Sequence, residues 1–313
     1  MVRPTVDDLK RWLQEPLADA LGDRFGKIEI SLLSQRDTVA DGTTVLQVRD
    51  AAGRLRAVVL CSVPAAPDMV KRAMTRAHQA KAILSATDGA PILDPLADGC
   101  VQGLSYAVLP YCNGLSETPP LWWIQRSLLR PSILQWLRRV TECTVREVEP
   151  DAVDRSFAEP LRRVVALRAN NGLLRIAAES SAERLRSGAW TPRHVLMHGD
   201  LWKGNVLIRS ADLDPEHRGW RDRFAIIDWA GSEIHGYAMY DLVRLARSMH
   251  MNARSLREEI ERHCRLLQCE AADASSYLMA ALGHVLMNLE HFPIDRYTSM
   301  AVSCLETLDH AFA

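Results

Sequence analysis

The chain has 313 residues, of which 48% are hydrophobic and 25% charged, an ordinary globular composition with enough apolar material for one large domain or two lobes. The formal net charge of −1 gives no global field that would attract nucleic acid or a membrane surface. Seven cysteines are scattered singly without a CxxC pair, which argues against a disulfide framework and a zinc site and favours a reducing compartment.

The sequence also bears on membrane association and on the compartment. Residues 1–10 contain no apolar core of signal-peptide length. The most apolar stretch, 57–63, is too short to cross a bilayer. We therefore expect a cytoplasmic protein that has no membrane partner.

The first third of the chain predicts a small sheet with one inserted helix. Thr5 and Asp8 have the spacing of a capping box and predict an opening helix. Runs rich in β-branched and apolar residues predict the strands 27–33, 43–49, 55–63 and 101–109, the last of them broken in two by Gly103. The pattern of residues 69–86 predicts a helix.

Beyond residue 121 long helical patterns dominate. They predict helices at 121–147, 154–170, 172–187, 239–250, 255–268, 273–291 and 295–312. Ser255 and Glu258 have the spacing of a second capping box. Short apolar runs predict strands at 195–197, 206–208 and 224–227. The change of character near 112–120 predicts a boundary between an N-lobe, 1–111, and a C-lobe, 112–313.

Trp122 and Trp123 stand among arginines, a combination that can bind single-stranded nucleic acid. The apolar residues of the same segment follow a helical period and more simply give an amphipathic helix, interrupted at Pro131. We favour the helix and expect no nucleic-acid partner.

Two neighbouring segments, HVLMHGDLWKGNVLI at 194–208 and FAIIDWAG at 224–231, each deliver an acid at the end of an apolar strand. Asp200 is followed five residues later by Asn205, and Asp228 comes after the next strand. Phosphoryl transfer needs a group that orients a hydroxyl and accepts its proton, and oxygen ligands that hold Mg²⁺ against the phosphates. This order of residues meets those needs.

At these residues the sequence resembles the aminoglycoside phosphotransferase and choline kinase-like family, and HGDLWKGN is similar to the loop of its fructosamine kinase branch. The resemblance implies an α+β, protein kinase-like two-lobed fold and the use of ATP and Mg²⁺. It implies that Asp200 is the catalytic base, that Asn205 and Asp228 are metal ligands and that His198 shapes the loop. Asp241 matches the family's acid beyond the I-D-W turn, which supports the loop.

The N-terminal part departs from the family pattern. The expected strand lysine falls at or near Cys61, whose thiol cannot replace an ammonium group at a phosphate. The helix 69–86 has no acid after Asp68, so the glutamate partner of that lysine is missing as well. The loop 34–42 contains only Gly42, a poor match to a phosphate-binding loop.

Two interpretations of the missing pair stay open. In the first, the phosphate charge is met by a relocated cation, for which the candidates are Arg36, Arg56, Lys71 and Lys203. Lys203 follows the base by three residues and would reach a γ-phosphate if the loop has the family's shape. In the second, the chain is a pseudokinase that acts as a binding or regulatory protein.

Residues 108–114 resemble the family's interlobe hinge, where the Pro110 carbonyl and the Cys112 N–H would bind adenine. Cys61, at or near the lysine position, is the third residue expected at the nucleotide. We therefore expect a phosphotransferase that transfers phosphate from ATP to a hydroxyl of a small molecule such as a sugar, an aminosugar or an aminoglycoside-like compound. The pattern names neither the acceptor nor the oligomeric state.

Overall fold

The computed structural model describes residues 4–35, 43–167, 172–210, 223–289 and 292–313. The helices are α1 (Val6–Phe25), α2 (Met69–Ala82), α3 (Ala86–Gly89), α4 (Pro119–Thr144), α5 (Glu159–Ala166), α6 (Gly172–Arg186), α7 (Tyr240–Ser248), α8 (Ala253–Leu267), α9 (Asp273–Met287) and α10 (Ile294–Phe312). The strands are β1 (Ile28–Gln35), β2 (Thr44–Asp50), β3 (Leu55–Cys61), β4 (Ala97–Val101), β5 (Leu104–Pro110), β6 (Cys112–Gly114), β7 (Arg146–Glu147), β8 (Arg193–Met197), β9 (Val206–Arg209), β10 (Phe224–Ile226) and β11 (Glu233–Gly236).

The predicted strands and most helices are found close to their predicted bounds. The Thr5 hydroxyl accepts from the Asp8 N–H at 3.1 Å and the Asp8 carboxylate accepts from the Thr5 N–H, so the first capping box is confirmed. The second is wrong, because Asn252 caps α8 and its side chain accepts from the Ser255 N–H. The predicted break at Pro131 is also wrong, since α4 continues through it.

The chain forms two compact units that alternate along the sequence. The first comprises Met1–Lys81, Ala90–Leu115 and Val206–Ala230, and the second comprises Ala82–Gly89, Ser116–Asn205 and Gly231–Ala313. The division into lobes 1–111 and 112–313 stays a prediction. Among the described residues no helix is long and apolar enough to pass through a membrane.

The first unit is built on an antiparallel sheet of strand order β1-β2-β3-β5-β4 among the described residues. Leucines at every fourth position of α1, Leu9 to Leu21, lie on one face of the helix and are buried against this sheet. The Asp50–Gly53 segment closes the hairpin of β2 and β3, with the Gly53 N–H donating to the Asp50 carbonyl at 2.8 Å. A second sheet of this unit has the order β10-β9-β6.

Two buried serines attach α2 to this sheet. The hydroxyls of Ser62, just after β3, and Ser105, in β5, lie 2.8 Å apart. They accept from the first backbone N–H groups of the helix, Val70 to Ser62 at 3.0 Å and Lys71 to Ser105 at 3.2 Å. The start of α2 is therefore held by neutral hydrogen bonds.

The second unit has a helical core with an aromatic centre. Phe157 makes edge contacts with Trp190 and Tyr237, and all three side chains are buried. Helix α9 packs closely on α5 at Gly283, where a Cβ atom would lie 2.1 Å from the Pro160 carbonyl oxygen. The sheet of this unit, β11-β8-β7, carries the HGD segment at the end of β8.

Candidate active site

The turn after β8 requires a glycine between His198 and Asp200. Gly199 has a φ of +84°, and a Cβ atom there would lie 2.3 Å from the carbonyl oxygen of Gly231. Both conditions exclude a larger residue without backbone movement. The chain thus turns sharply at the end of the strand and presents Asp200 on the loop.

Asp241 in the first turn of α7 holds this loop from behind. Its carboxylate accepts from the backbone N–H groups of His198 at 2.6 Å, Gly199 at 3.1 Å and Leu201. Burial raises the pKa of Asp241 to about 6, while these N–H donors act in the opposite direction by stabilising the charged form. Asp241 thus holds the backbone of the loop, and its supporting role in catalysis stays a prediction.

His198 is buried beside the turn, and its Nδ1 accepts from the Asp200 N–H at 3.2 Å. The ring therefore contacts the backbone that carries the acid, and its role in shaping the loop for catalysis stays a prediction.

Asp200 and Asn205 lie together, as their spacing predicted. The Asn205 amide donates through Nδ2 to the backbone carbonyl of Asp200 at 2.8 Å and to its Oδ2 at 3.0 Å. Because a carbonyl oxygen can only accept, these bonds fix the orientation of the amide and turn its Oδ1 away from Asp200. The Asp200 side chain keeps 41% of its surface accessible.

Two further side chains contact the Asp200 carboxylate, and neither was predicted. Arg244 on α7 donates from Nη2 to Oδ1, and the Trp202 side chain forms another hydrogen bond. Burial raises the pKa of Asp200, whereas Arg244, Asn205 and Trp202 lower it. A signal for Arg244 exists, since it follows Asp241 by three residues on the predicted helix and so shares its face.

The Lys203 side chain contacts an aromatic ring of the second unit, whereas the sequence made it a candidate for the γ-phosphate. Its Nζ lies 5.2 Å from the ring centroid of Trp122 on α4, a cation–π contact. Its backbone N–H donates to the Ser248 hydroxyl at 3.0 Å. Its role at a γ-phosphate stays a prediction.

Asp228 belongs to the first unit and follows β10. It is exposed and has a φ of +65°, a left-handed conformation that is uncommon for a residue with a side chain. Such conformations concentrate at functional sites, where the surrounding structure compensates their cost. The Trp229 indole fixes the turn by donating to the Ile226 carbonyl at 3.0 Å.

The residues predicted at the nucleotide also lie in the first unit. Cys61 ends β3 with 1% of its surface exposed, and burial raises the pKa of its thiol to about 12, so it remains protonated at neutral pH. Pro110 ends β5, and Cys112 begins β6 opposite Arg209 of β9. Their contacts with adenine stay predictions.

Of the other cations considered for the phosphates, Arg56 is paired with Asp50 at 2.8 Å and Lys71 is exposed on α2. Arg36 lies outside the described residues. Lys81, which was not considered, pairs with Asp94 at 2.5 Å. The described residues of α2 include no acid that could pair with a strand lysine.

The sheet-based first unit, the helical second unit and the loop at Asp200 define a kinase-like phosphotransferase fold. Similar solved structures include a protein assigned as a fructosamine-3-kinase from Haemophilus somnus 129PT, 11% identical over 97% of this chain and 99% of that chain with a TM-score of 0.51. The choline kinase LicA of Streptococcus pneumoniae is 15% identical over 94% and 98% of the two chains, with a TM-score of 0.46. The streptomycin–ATP ternary complex of APH(2″)-IIa is 14% identical over 99% and 97%, with a TM-score of 0.47.

The model of the APH family, described as the phosphotransferase enzyme family, matches residues 37–273. This chain belongs to that family. A comparison with curated proteins finds no match. The expected family and the expected fold class are thereby confirmed.

Proposed function

We propose that this protein transfers the γ-phosphoryl group of ATP to a hydroxyl group of a small molecule, with Asp200 as the base. The observation that carries the proposal is the loop of the second unit, in which Asp200 is held by Asn205 while Asp241 fixes the backbone. The Asp200 carboxylate combines these contacts with a partly accessible surface, which a residue that receives a proton from a substrate requires.

In the proposed reaction, an oxygen of Asp200 accepts a hydrogen bond from the acceptor hydroxyl and takes its proton as the new oxygen–phosphorus bond forms. The bond between the γ-phosphorus and the bridging oxygen breaks, and ADP leaves with that electron pair. His198 and Asp241 contribute by holding the loop in one conformation, so that the hydroxyl is bound in line with the phosphorus.

The residues present fit a magnesium ion. Mg²⁺ prefers oxygen ligands, and Asn205 offers an Oδ1 that its own Nδ2 contacts turn away from Asp200. Asp228 offers an exposed carboxylate on the left-handed turn after β10. When bound, the ion would neutralise negative charge on the phosphates. We assign Asn205 and Asp228 as its ligands.

A second candidate function, a nucleotide-free pseudokinase, is favoured by one observation. The strand position expected for the family's lysine falls at or near Cys61, whose thiol is buried and protonated, and α2 carries no matching acid. Such a protein would act through binding instead of phosphoryl transfer.

A thermal-shift titration with Mg·ATP, combined with an assay of ATP hydrolysis, separates the two functions. The enzyme predicts a saturable rise of the melting temperature and measurable turnover. Asp200→Asn should abolish turnover while leaving the melting temperature nearly unchanged, and Asp151→Asn, on an exposed turn, serves as the matched control. No shift at millimolar nucleotide together with no turnover would reject the enzyme.

The acceptor is then sought with γ-labelled ATP and separate panels of sugars, aminoglycosides and amino alcohols. A product that appears with the wild type and not with Asp200→Asn identifies the acceptor class. If turnover survives the Asp200→Asn change, the assignment of the base is wrong.

A further inference from the structure

Arg244 extends from the middle of α7 to the acid that the proposed reaction uses as its base. Its Nη2 donates to Oδ1 of Asp200, the oxygen opposite the one that Asn205 contacts. We infer that Arg244 is a positioning residue that fixes the Asp200 carboxylate for phosphoryl transfer. This inference rests on the proposed function and adds to it a residue outside the H-x-D-x-x-x-x-N segment.

The arginine is itself held in place. Only 20% of its side-chain surface is exposed, and the guanidinium lies 5.9 Å from the ring centroid of Tyr240. Tyr240 is 2% exposed and its hydroxyl contacts the Met300 sulfur at 3.7 Å. Packing against Tyr240 therefore restricts the Arg244 side chain, and its guanidinium contacts Asp200 from a fixed position.

The donors around Asp200 leave its carboxylate little rotational freedom. Arg244 contacts one oxygen, Asn205 the other, and Trp202 supplies a further hydrogen bond. A carboxylate has about four acceptor positions, so it keeps capacity for a substrate hydroxyl after these three contacts. Without Arg244 one oxygen loses its charged partner, and the side chain gains alternative rotamers.

Stability alone gives a poor account of this pair. Both side chains are partly exposed, 20% for Arg244 and 41% for Asp200, and solvent screening leaves such an ion pair little net contribution to stability. The Nε atom of Arg244 is buried and has no hydrogen-bond partner in the described part of the chain, which is a cost. The contact orients the acid that the proposed reaction uses, and this is better explained by function, because pre-set orientation lowers the barrier to reaction.

Arg247 provides a matched control on the same helix. It follows Arg244 by three residues, is exposed, and forms no ion pair among the described residues. Arg247→Gln removes the same charge from α7 without touching Asp200.

The test compares Arg244→Gln, Arg244→Lys and Arg247→Gln in the hydrolysis of Mg·ATP, with water as the acceptor. We expect Arg244→Gln to lower kcat by about 10- to 100-fold with little change of the KM for ATP, because misplacement of a reacting group by about 1 Å costs on the order of 100-fold. Arg244→Lys should recover part of the loss, and Arg247→Gln should retain the wild-type kcat. A fourth variant, Arg244→Gly, leaves space for a guanidinium ion, and guanidinium at low millimolar concentration should raise its rate.

A kcat of Arg244→Gln within about threefold of wild type would overturn the inference, since a misplaced base costs far more. So would a loss that neither lysine nor added guanidinium reverses. A crystal structure of Arg244→Gln gives a readout that does not depend on turnover: the Asp200 side chain should leave its contact with Asn205, and an unchanged rotamer contradicts the inference. Wild-type protein with neither turnover nor a thermal shift at millimolar nucleotide would instead reject the proposed function, and with it this inference.

Discussion

Asp241 accepts a hydrogen bond from the backbone N–H of His198 at 2.6 Å, so a buried carboxylate on α7 fixes the loop that carries the proposed base. The same helix supplies Arg244 to the side chain of Asp200 and the Ser248 hydroxyl to the backbone of Lys203. Helix α7 thus contacts the loop at three places. Substitutions on α7 should therefore alter the position of the Asp200 side chain without touching a substrate.

The first prediction concerns the pH dependence of stability. Burial raises the pKa of Asp241 from its ordinary value of 3.8 to about 6, so the folded protein binds this proton more tightly than the unfolded chain does. The stabilisation from protonated Asp241 is complete below about pH 4 and is lost as the pH rises through about 6. The free-energy difference between wild type and Asp241→Asn should therefore fall by about 2–3 kcal/mol over that range.

Urea unfolding of both proteins between about pH 4 and about pH 7 measures this difference. Asp295→Asn, at an exposed position in the first turn of α10, is the control and should track the wild type throughout. A constant difference between wild type and Asp241→Asn would show that the pKa of the buried carboxyl is not raised.

The second prediction concerns Gly204, which leaves room for the indole of Trp202. A Cβ atom at Gly204 would lie 2.4 Å from Cζ2 of that indole. Because Trp202 is 39% exposed, the ring can move at small cost in stability, but it would then lose its contact with Asp200. We expect Gly204→Ala to lower the turnover of ATP by about tenfold.

A double-mutant cycle checks this mechanism. In the Trp202→Ala background, Gly204→Ala should have no further effect on turnover, because the side chain that it displaces is absent. Equal losses in both backgrounds would mean that Gly204 acts through the backbone of the loop and not through Trp202.

The sequence predicted the loop well because its information is local. The five-residue spacing of Asp200 and Asn205, with Gly204 between them, places the two side chains on one short loop. Asp241 was recognised through the family resemblance. Arg244 was missed because a helical pattern predicts only which face of the helix a residue lies on. It does not predict which distant loop packs against that face.

Other contacts left no signal in the sequence. Cys264 and Cys269 are five residues apart, a spacing that would keep their side chains apart on a continuous helix. Helix α8 ends at Leu267, Gln268 adopts a φ of +54°, and the chain turns so that the two cysteine side chains hydrogen-bond. Glutamine does not favour that conformation, so the reversal is set by tertiary packing.

The third prediction tests whether Cys61 marks a lysine site that could be restored. The thiol is enclosed by the apolar core between α1 and the sheet, and α2 offers no acid as a partner. Cys61→Lys would bury an unpaired ammonium group, and we expect it to lower the free energy of unfolding by about 3 kcal/mol or more. It should not increase the thermal shift produced by Mg·ATP.

Cys61→Ala is the control for the loss of the thiol and should cost less than Cys61→Lys, since it buries no charge. Urea unfolding and the Mg·ATP titration provide the two measurements. A Cys61→Lys protein with wild-type stability and a larger nucleotide shift would contradict our account and would support loss of the strand lysine from an older nucleotide site.

The fourth prediction concerns how α2 is attached without the ion pair of the family. The Ser105 hydroxyl donates to the Pro67 carbonyl at 2.8 Å, accepts from the Lys71 N–H and meets the Ser62 hydroxyl, so its removal takes the acceptor from the Lys71 N–H and one hydrogen bond from each of the other two groups. Ser105→Ala should lower the free energy of unfolding by about 1–3 kcal/mol.

Thr75→Ala removes an exposed hydroxyl from α2 and should cost at most about 0.5 kcal/mol. Hydrogen exchange at the amide of Lys71 should accelerate in Ser105→Ala alone, because this N–H loses the hydroxyl that accepts its hydrogen bond. Equal stability of the two variants, with unchanged exchange, would mean that α2 is held by its apolar contacts and that the serines contribute little.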